Sequence, residues 1–323
     1  MAKYILKRIL WMIPVLLGVM ILIYTINYLS PSDPLTSILG ADATEAQRAA
    51  KAAELGLDQP YLVQVFNYIK GVVLHLDLGT SYTTYANVMG SILERFPTTL
   101  LLALLSVIFA TIIGIPLGVI AATHRNSIFD YISSILAMIG ASMPNFWLGL
   151  MLIIWFALDL GWLPASGLGT VAHWVLPVIA CGFFPVATIM RTTRSSMLEV
   201  IRQDYIRTAE SKGIANKEVI LKHAFRNAMI PVITIVGMQF AFAMGGVITL
   251  EAVFTIPGMG SLLKTAIGSN DYPTIEGCVL FIAFITSVMN LLIDILYAVI
   301  DPRVKTQYAS SKKKKKAVKE VAA

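Results

Sequence analysis

Six apolar runs, each near the length that crosses a bilayer, are what this chain has to accommodate before anything else. A hydrocarbon core of about 30 Å takes about 20 helical residues. The runs are Ile9 to Leu29, Thr98 to Ala122, Tyr131 to Leu158, His173 to Met190, Met229 to Leu250 and Cys278 to Ile300. Pro144 and Pro185 interrupt the third and fourth, which neighbouring helices can tolerate by satisfying the freed backbone groups. Only 14% of the residues are charged and 57% are apolar. A soluble chain carries about 25% charged residues, so a water-soluble globule is excluded. The expected fold class is an all-α, polytopic membrane protein.

The distribution of Lys and Arg orients the six spans. With the N-terminus inside, Lys3, Lys7 and Arg8 lie inside, as do Arg125, eight residues between Arg191 and Arg226, and eight after Ile300. Only Arg48, Lys51, Lys70, Arg95 and Lys264 fall outside. The positive-inside rule therefore places both termini in the cytoplasm. The first run ends in NYLSPSDP rather than in a small-x-small cleavage pattern, so it reads as a retained anchor. The run Lys312–Lys316 reads as a solvated tail that helps fix topology.

One outer region, Ser30 to Phe96, is large enough to carry structure of its own. ATEAQRAAKAAELGL reads as a short helix with Thr44 as N-cap and Gly56 as its stop. YLVQVFNYIKGVVLHL follows Pro60 with apolar residues at helical spacing, suited to lying on the bilayer or on other helices. Cys181 and Cys278 both lie in apolar segments, which suits buried inert thiols rather than a disulfide.

The chain carries no catalytic constellation. His75, His124, His173 and His223 are scattered across both sides of the membrane and cannot form one metal site. H-E-x-x-H, G-x-S-x-G and the phosphate-cradling G-x-x-x-x-G-K-[ST] are all missing from the sequence, so any ATP dependence has to come from a partner. Within the runs, Asp294 is the clearest ionisable residue, with Asn290 one turn earlier on the same face. An acid at that depth reads either as part of a path or as a helix-packing contact near the inner interface.

The charged segment from Arg191 to Pro231 lies between two apolar runs on the inner side. Met197, Ile201, Tyr205 and Ala209 recur every four residues, which predicts one stripe of a single helix. The helix should stop at Gly213, and a second should start with Asn216 as N-cap and Glu218 in its first turn. Two helices folded around one glycine make a protruding knob; the alternative is an amphipathic helix lying flat on the bilayer. On the other side, EAVFTIPGMG follows the fifth run. It reads either as a tight turn or as a re-entrant apolar plug involving Glu251, Phe254, Pro257 and Gly258, which needs burial in protein or a cavity lining.

RTAESKG followed by HAFRNAMIP resembles the cytoplasmic coupling-loop motif of ABC importer permeases, in the version of the dipeptide/oligopeptide/nickel branch. ILKRILWMIPVLLGV, LSPSDP, ELGLDQP, DLGTSY, FPTTL, SMPNFWLGL, SSMLEVIRQDYIRTA, EAVFTIPGMG and NLLIDILYAVIDPR match that branch in order, over nearly the whole chain. The general coupling motif has Glu-Ala-Ala, three residues and Gly; here those positions hold Arg207, Thr208, Ala209 and Gly213, and Glu210 is not the acidic equivalent. The later portion falls at His223 to Arg226 and also departs.

The resemblance implies a type I ABC importer permease fold. Its expected parts are an N-terminal segment and first span (1–30), an extracytoplasmic region (31–96), a five-helix core with coupling loop 191–230 (97–300), and a basic tail (301–323). It implies that Tyr205, Arg207, Thr208, Ala209, Glu210, Gly213, His223 and Arg226 form the ATPase-coupling loop. It also implies a machine in a bacterial or archaeal plasma membrane: a second homologous permease, two ATP-binding subunits and an extracytoplasmic solute-binding protein. ATP and Mg would sit on the ATPase subunits, with no cofactor, metal or nucleic acid on this chain. The implied cargo is a di- or oligopeptide, with nickel chelates, glutathione or another small solute as alternatives. A channel, secondary carrier or membrane enzyme would leave the Arg191–Arg226 knob unexplained.

Overall fold

A computed structural model describes residues 2–40 and 42–300. The basic tail at 301–323, including Lys312–Lys316, lies outside the described residues. Among the described residues the regular elements are helical, beside one isolated antiparallel bridge between Thr80 and Asn87. The helices are α1 (Ala2–Leu29), α2 (Pro34–Leu39), α3 (Glu45–Leu55), α4 (Tyr61–His75), α5 (Val88–Thr123), α6 (Ile128–Ser142) and α7 (Asn145–Leu152). They continue with α8 (Ala172–Ile201), α9 (Asp204–Ser211), α10 (Asn216–Glu218), α11 (Phe225–Val253), α12 (Met259–Gly268) and α13 (Tyr272–Ile300). Two π-helical stretches, Ile153–Asp159 and Val219–Ala224, extend α7 and join α10 to α11. Five spans are long and apolar enough to cross a membrane, and the bent pair α6–α7 makes a sixth when taken as one span.

The two interrupting prolines behave differently. The third run is two helices bent by 103° rather than one. Pro144 disfavours the helical conformation for the residue before it, and Met143 is extended at φ −84°, ψ 125°. The break is held against α11, where the Asn145 side-chain amide donates to the Gly246 carbonyl at 3.2 Å. By contrast, α8 continues as a helix through both Pro177 and Pro185.

α5 and α8 form the central contact. On α5, Ser106, Ala110, Gly114, Gly118 and Ala122 recur every four residues, and all are buried. That spacing puts the smallest side chains on one stripe, so the backbones approach closely, as apolar helices do where no water drives them together. A Cβ on Gly118 would lie 2.6 Å from the Thr193 Cβ and 2.7 Å from the Met190 carbonyl. On α8, a Cβ on Gly182 would lie 2.7 Å from the Phe109 ring. Around this contact Leu102, Leu148, Leu176, Met244, Val247, Leu250 and Phe254 make the main apolar core. Where α6 begins, the Asp130 carboxylate takes a two-pronged pair from Arg194 of α8 at 2.6 and 2.8 Å.

α1 stands at the periphery against α13, and Leu10, Trp11, Leu22 and Leu29 of its outer face are exposed, as suits contact with lipid. The outer region folds largely as its sequence predicts. Thr44 and Gln47 form a reciprocal capping box, and Gly56 ends α3 in the left-handed region at φ 69°. Asp271 staples this region to the α12–α13 junction by accepting from the Ser81 hydroxyl at 2.6 Å, the Tyr82 amide at 2.9 Å and the Thr274 hydroxyl at 2.7 Å. Cys181 and Cys278 are free and buried.

Gly118→Val is expected to force α5 off α8 and lower the melting temperature of the detergent-purified chain, at an overpacking cost of about 1–3 kcal/mol. Gly18→Val on α1, where nothing lies within 4 Å of the added carbon, should leave it unchanged. Equal melting of the two variants would mean that the helix pair tolerates separation.

Candidate functional site

A groove of about 720 Å³ runs along α11, α8, α13 and the α6–α7 break. Its walls include Asn145, Phe184, Met238, Phe242, Thr249, Thr286 and Asn290. It is mostly apolar, with a few polar groups from several helices, the usual make-up of a small-molecule site. Met238 and Phe242 are 53% and 61% exposed although they line it, so one side of the groove has no cover among the described residues.

The segment after α11 lies beyond Thr249. Glu251, Phe254, Ile256, Gly258 and Met259 are buried, while Pro257 is exposed. Glu251 accepts from the Thr99 hydroxyl at 2.6 Å and from the Gly260 amide at 2.6 Å. The Thr99 oxygen in turn accepts from the Met259 amide at 2.9 Å. The chain therefore folds back on itself around one carboxylate. Gly258 is required at the tightest point, because a Cβ there would run into the Glu251 carboxylate. Phe254 packs against Gly149 and Leu250, and its carbonyl accepts from the Gly167 amide at 2.8 Å.

At the opposite end of α8 and α11 is the charged segment. Gly213 sits at φ 75°, and its amide donates to the Glu210 carbonyl at 2.9 Å, reversing the chain between α9 and α10. Tyr205, Arg207, Thr208, Glu210, Gly213 and Arg226 are exposed, His223 is half-buried and Ala209 is buried. Two local expectations need correction. α8 ends at Ile201 and α9 starts at Asp204, so the stripe through Met197, Ile201, Tyr205 and Ala209 is not one helix. The break shifts the phase, and Ile206 and Ala209 face inward, where they pack with Met197, Val219 and Ala224. Tyr205 is turned out and accepts from the Asn227 side-chain amide at 3.1 Å. The second helix is preceded by Ala215 as N-cap, with Asn216 as its first residue rather than its cap.

Asn290 and Asp294 part company. Asn290 lines the groove, whereas Asp294 pairs with Arg8 of α1 at 2.8 Å. The acidic residue the sequence pattern concealed is Glu276. It precedes the apolar run, but α13 begins at Tyr272, so Glu276 lies inside the helix and is 6% exposed.

Residues 1–103 match the family of binding-protein-dependent transport system membrane components in its N-terminal part, and residues 114–306 match the binding-protein-dependent transport system inner membrane component. The chain belongs to that family. The dipeptide transport system permease protein DppB of Alkalihalophilus pseudofirmus is 41% identical, covering 94% of this chain and 100% of that protein. DppB of Escherichia coli K12 is 40% identical over 94% and 99%. The glutathione transport system permease protein GsiC of Salmonella choleraesuis is 42% identical over 94% and 99%. Among solved structures, an inward-facing MetNI methionine ABC transporter is 18% identical at a TM-score of 0.56, covering 66% of this chain and 97% of its own. An amino acid ABC transporter is 17% identical at 0.50, covering 67% and 94%. These two share the fold with this permease.

Thr99→Val in this permease removes one donor to the buried Glu251 carboxylate and leaves the Met259 amide without its acceptor. The expected cost is about 1–3 kcal/mol, read as a lower melting temperature. Thr111→Val, whose hydroxyl bonds only its own helix at Val107, should melt like the unaltered chain. Equal stability of both variants would show that the Glu251 turn is held by packing alone.

Proposed function

We propose that this permease forms, with a second homologous permease, the membrane path of an ATP-driven importer for di- and oligopeptides in the bacterial inner membrane. Two ATP-binding subunits would drive it, and an extracytoplasmic binding protein would deliver the solute. One observation carries the reading: the exposed knob around Gly213 is continuous with α8 and α11, which are also two walls of the groove. A push on the knob is thereby delivered to the path through two long helices and their own packing, a rigid-body route to alternating access. The chain lacks a phosphate-cradling loop, which assigns ATP hydrolysis to the partner subunits.

The exposed side of the groove at Met238 and Phe242 suits completion by the second permease. Asn290, Thr286 and Asn145 offer it polar contacts suited to a peptide backbone. Asp294 braces α1 through Arg8 and need not meet cargo. The peptide assignment rests on the DppB relatives; the GsiC relatives, named for glutathione, favour a second reading in which glutathione is the cargo. The turn at Glu251, Phe254, Pro257 and Gly258 closes the groove end nearest Thr249 and serves as the outer gate.

Affinity purification of the chain in mild detergent should recover ATP-binding subunits and a second permease. Tyr205→Asp should sharply reduce ATP-binding subunit recovery without lowering melting temperature, because that side chain is 44% exposed yet central to the knob. A carboxylate desolvated on docking without a partner costs more than the roughly 2–7 kcal/mol of a neutral polar group. Recovery at the unaltered ratio would remove Tyr205 from the docking face.

For the gate, a cysteine at Phe254 in a background lacking Cys181 and Cys278 should resist an aqueous thiol reagent at rest. It should react rapidly with ATP and vanadate bound. Equal slow labelling in both states would show a permanent structural turn, and equal rapid labelling an ordinary exposed loop.

A further inference from the structure

α1 and α13 touch through an acidic residue near each end of their contact. At one end Asp294 is answered by the Arg8 guanidinium at 2.8 Å. At the other, Glu276 is 6% exposed, and its Oε1 accepts from the Asn27 side-chain amide at 3.0 Å. Asn27 is itself 7% exposed. An amide offers a hydrogen bond but no charge, and a buried carboxylate is expensive unless a cation compensates it or a proton neutralises it.

Glu276 forms part of the wall of a second cavity, of about 400 Å³, between α1, α13 and the Ser30–Leu35 turn. Its lining includes two acidic side chains, Asp33 and Glu276, and no Lys, Arg or His. Arg48 pairs with Asp33 at 2.5 Å, so Glu276 is the acid of this wall with no basic partner among its lining residues. Four tyrosines, Tyr24, Tyr28, Tyr82 and Tyr272, complete the wall. The Tyr24 hydroxyl donates to Gln64 Oε1 at 2.8 Å and the Tyr272 hydroxyl to the Ser32 carbonyl at 2.6 Å, which fixes both rings in place. Tyr28 is stacked obliquely on Tyr61 with ring centroids 5.0 Å apart. Burial, and then the neighbouring Glu276 carboxylate, push the Tyr82 phenol well above its ordinary value, so it stays neutral and supplies no charge of its own.

A single uncompensated carboxylate within a tyrosine wall is the arrangement that recognises an organic cation, through a charged hydrogen bond and attraction to ring faces. A metal ion would ask for several hard ligands; among the described residues no group of three or more His, Cys, Asp or Glu side chains comes together. We propose that this cavity is a binding site for a small primary ammonium group, with Glu276 as its counter-ion, Asn27 orienting the carboxylate and the tyrosines forming the cage. The site is distinct from the groove along α11, which shares none of these residues. It does not depend on which solute the importer carries or on the partner subunits.

The test is a titration of the purified full-length chain with methylammonium chloride at constant ionic strength, against potassium chloride, read by calorimetry and by melting temperature. Saturable methylammonium binding with no matching response to potassium is expected. Glu276→Gln keeps an oxygen for Asn27 but loses the charge, and should weaken binding about ten- to hundredfold, the weight of a hydrogen bond to a charged group. Tyr28→Ala, at a side chain 51% exposed, should weaken it about two- to fivefold, as for an exposed cation–π contact. The proposal is overturned by absence of binding to the unaltered chain, by an equal potassium response, or by full affinity in Glu276→Gln. Should that variant not fold, full affinity in Tyr28→Ala overturns it instead.

Discussion

Everything in this permease is hung on the close approach of α5 to α8. In lipid, apolar side chains gain little by meeting one another, because the acyl chains around them are equally apolar. Adhesion has to come from packing and from close backbone contact. The Ser106–Ala110–Gly114–Gly118–Ala122 stripe allows both by lowering the surface of α5 exactly where α8 crosses it. α11, α13 and the α6–α7 break then find their places against this pair, and the main core forms around it.

That arrangement leaves one set of helices with two duties. α8 and α11 line the groove at mid-length, and at one end they pass into the knob around Gly213. The knob has its own small apolar core of Met197, Ile206, Ala209, Val219 and Ala224, continuous with Ala122 of α5. It is therefore a rigid extension of the bundle rather than a loose loop. The Asp130–Arg194 pair adds the third span to the same unit, since it joins the start of α6 to α8 just before the knob. A displacement at the knob has few soft joints in which to be lost, the condition for long-range mechanical coupling through packed elements.

Buried polar groups mark where the apolar helices have to change direction or meet. Asp271 fixes the outer region, Glu251 closes the turn after α11, and Glu276 faces Asn27 across the α1–α13 contact. Each carboxylate is held by hydroxyls, amides or backbone N–H groups instead of by a basic side chain, whereas Asp130 and Asp294 have arginines. The neutral donors set direction without adding a second buried charge, which suits turns that must be exact in geometry.

The sequence alone determined the all-α membrane class, the order of the apolar runs, and the glycine that separates the two short helices after α8. Those features follow from run length, Lys and Arg placement, and a glycine between helical patterns, all of which are local. Thr44 and Gly56 were legible for the same reason, because a cap is made within a few residues. The candidate turn at Glu251 was visible as an apolar segment with Pro and Gly, but not its dependence on Thr99, 152 residues away. The stripe through Met197, Ile201, Tyr205 and Ala209 does not run along one helix because a break at Arg202 and Gln203 resets helical phase, and nothing in the spacing announces it. Pro144 and Pro185 look alike in sequence; only the tertiary structure decided that one breaks its helix and the other does not. The four-residue stripe on α5 could have been found by spacing, yet its partner on α8 could not. Glu276 was hidden by its place ahead of the apolar run, and only the packing of α1 on α13 buried that acid. Local patterns select helices and ends; which faces meet is a property of the whole bundle, because contact depends on surfaces brought together from distant parts of the chain.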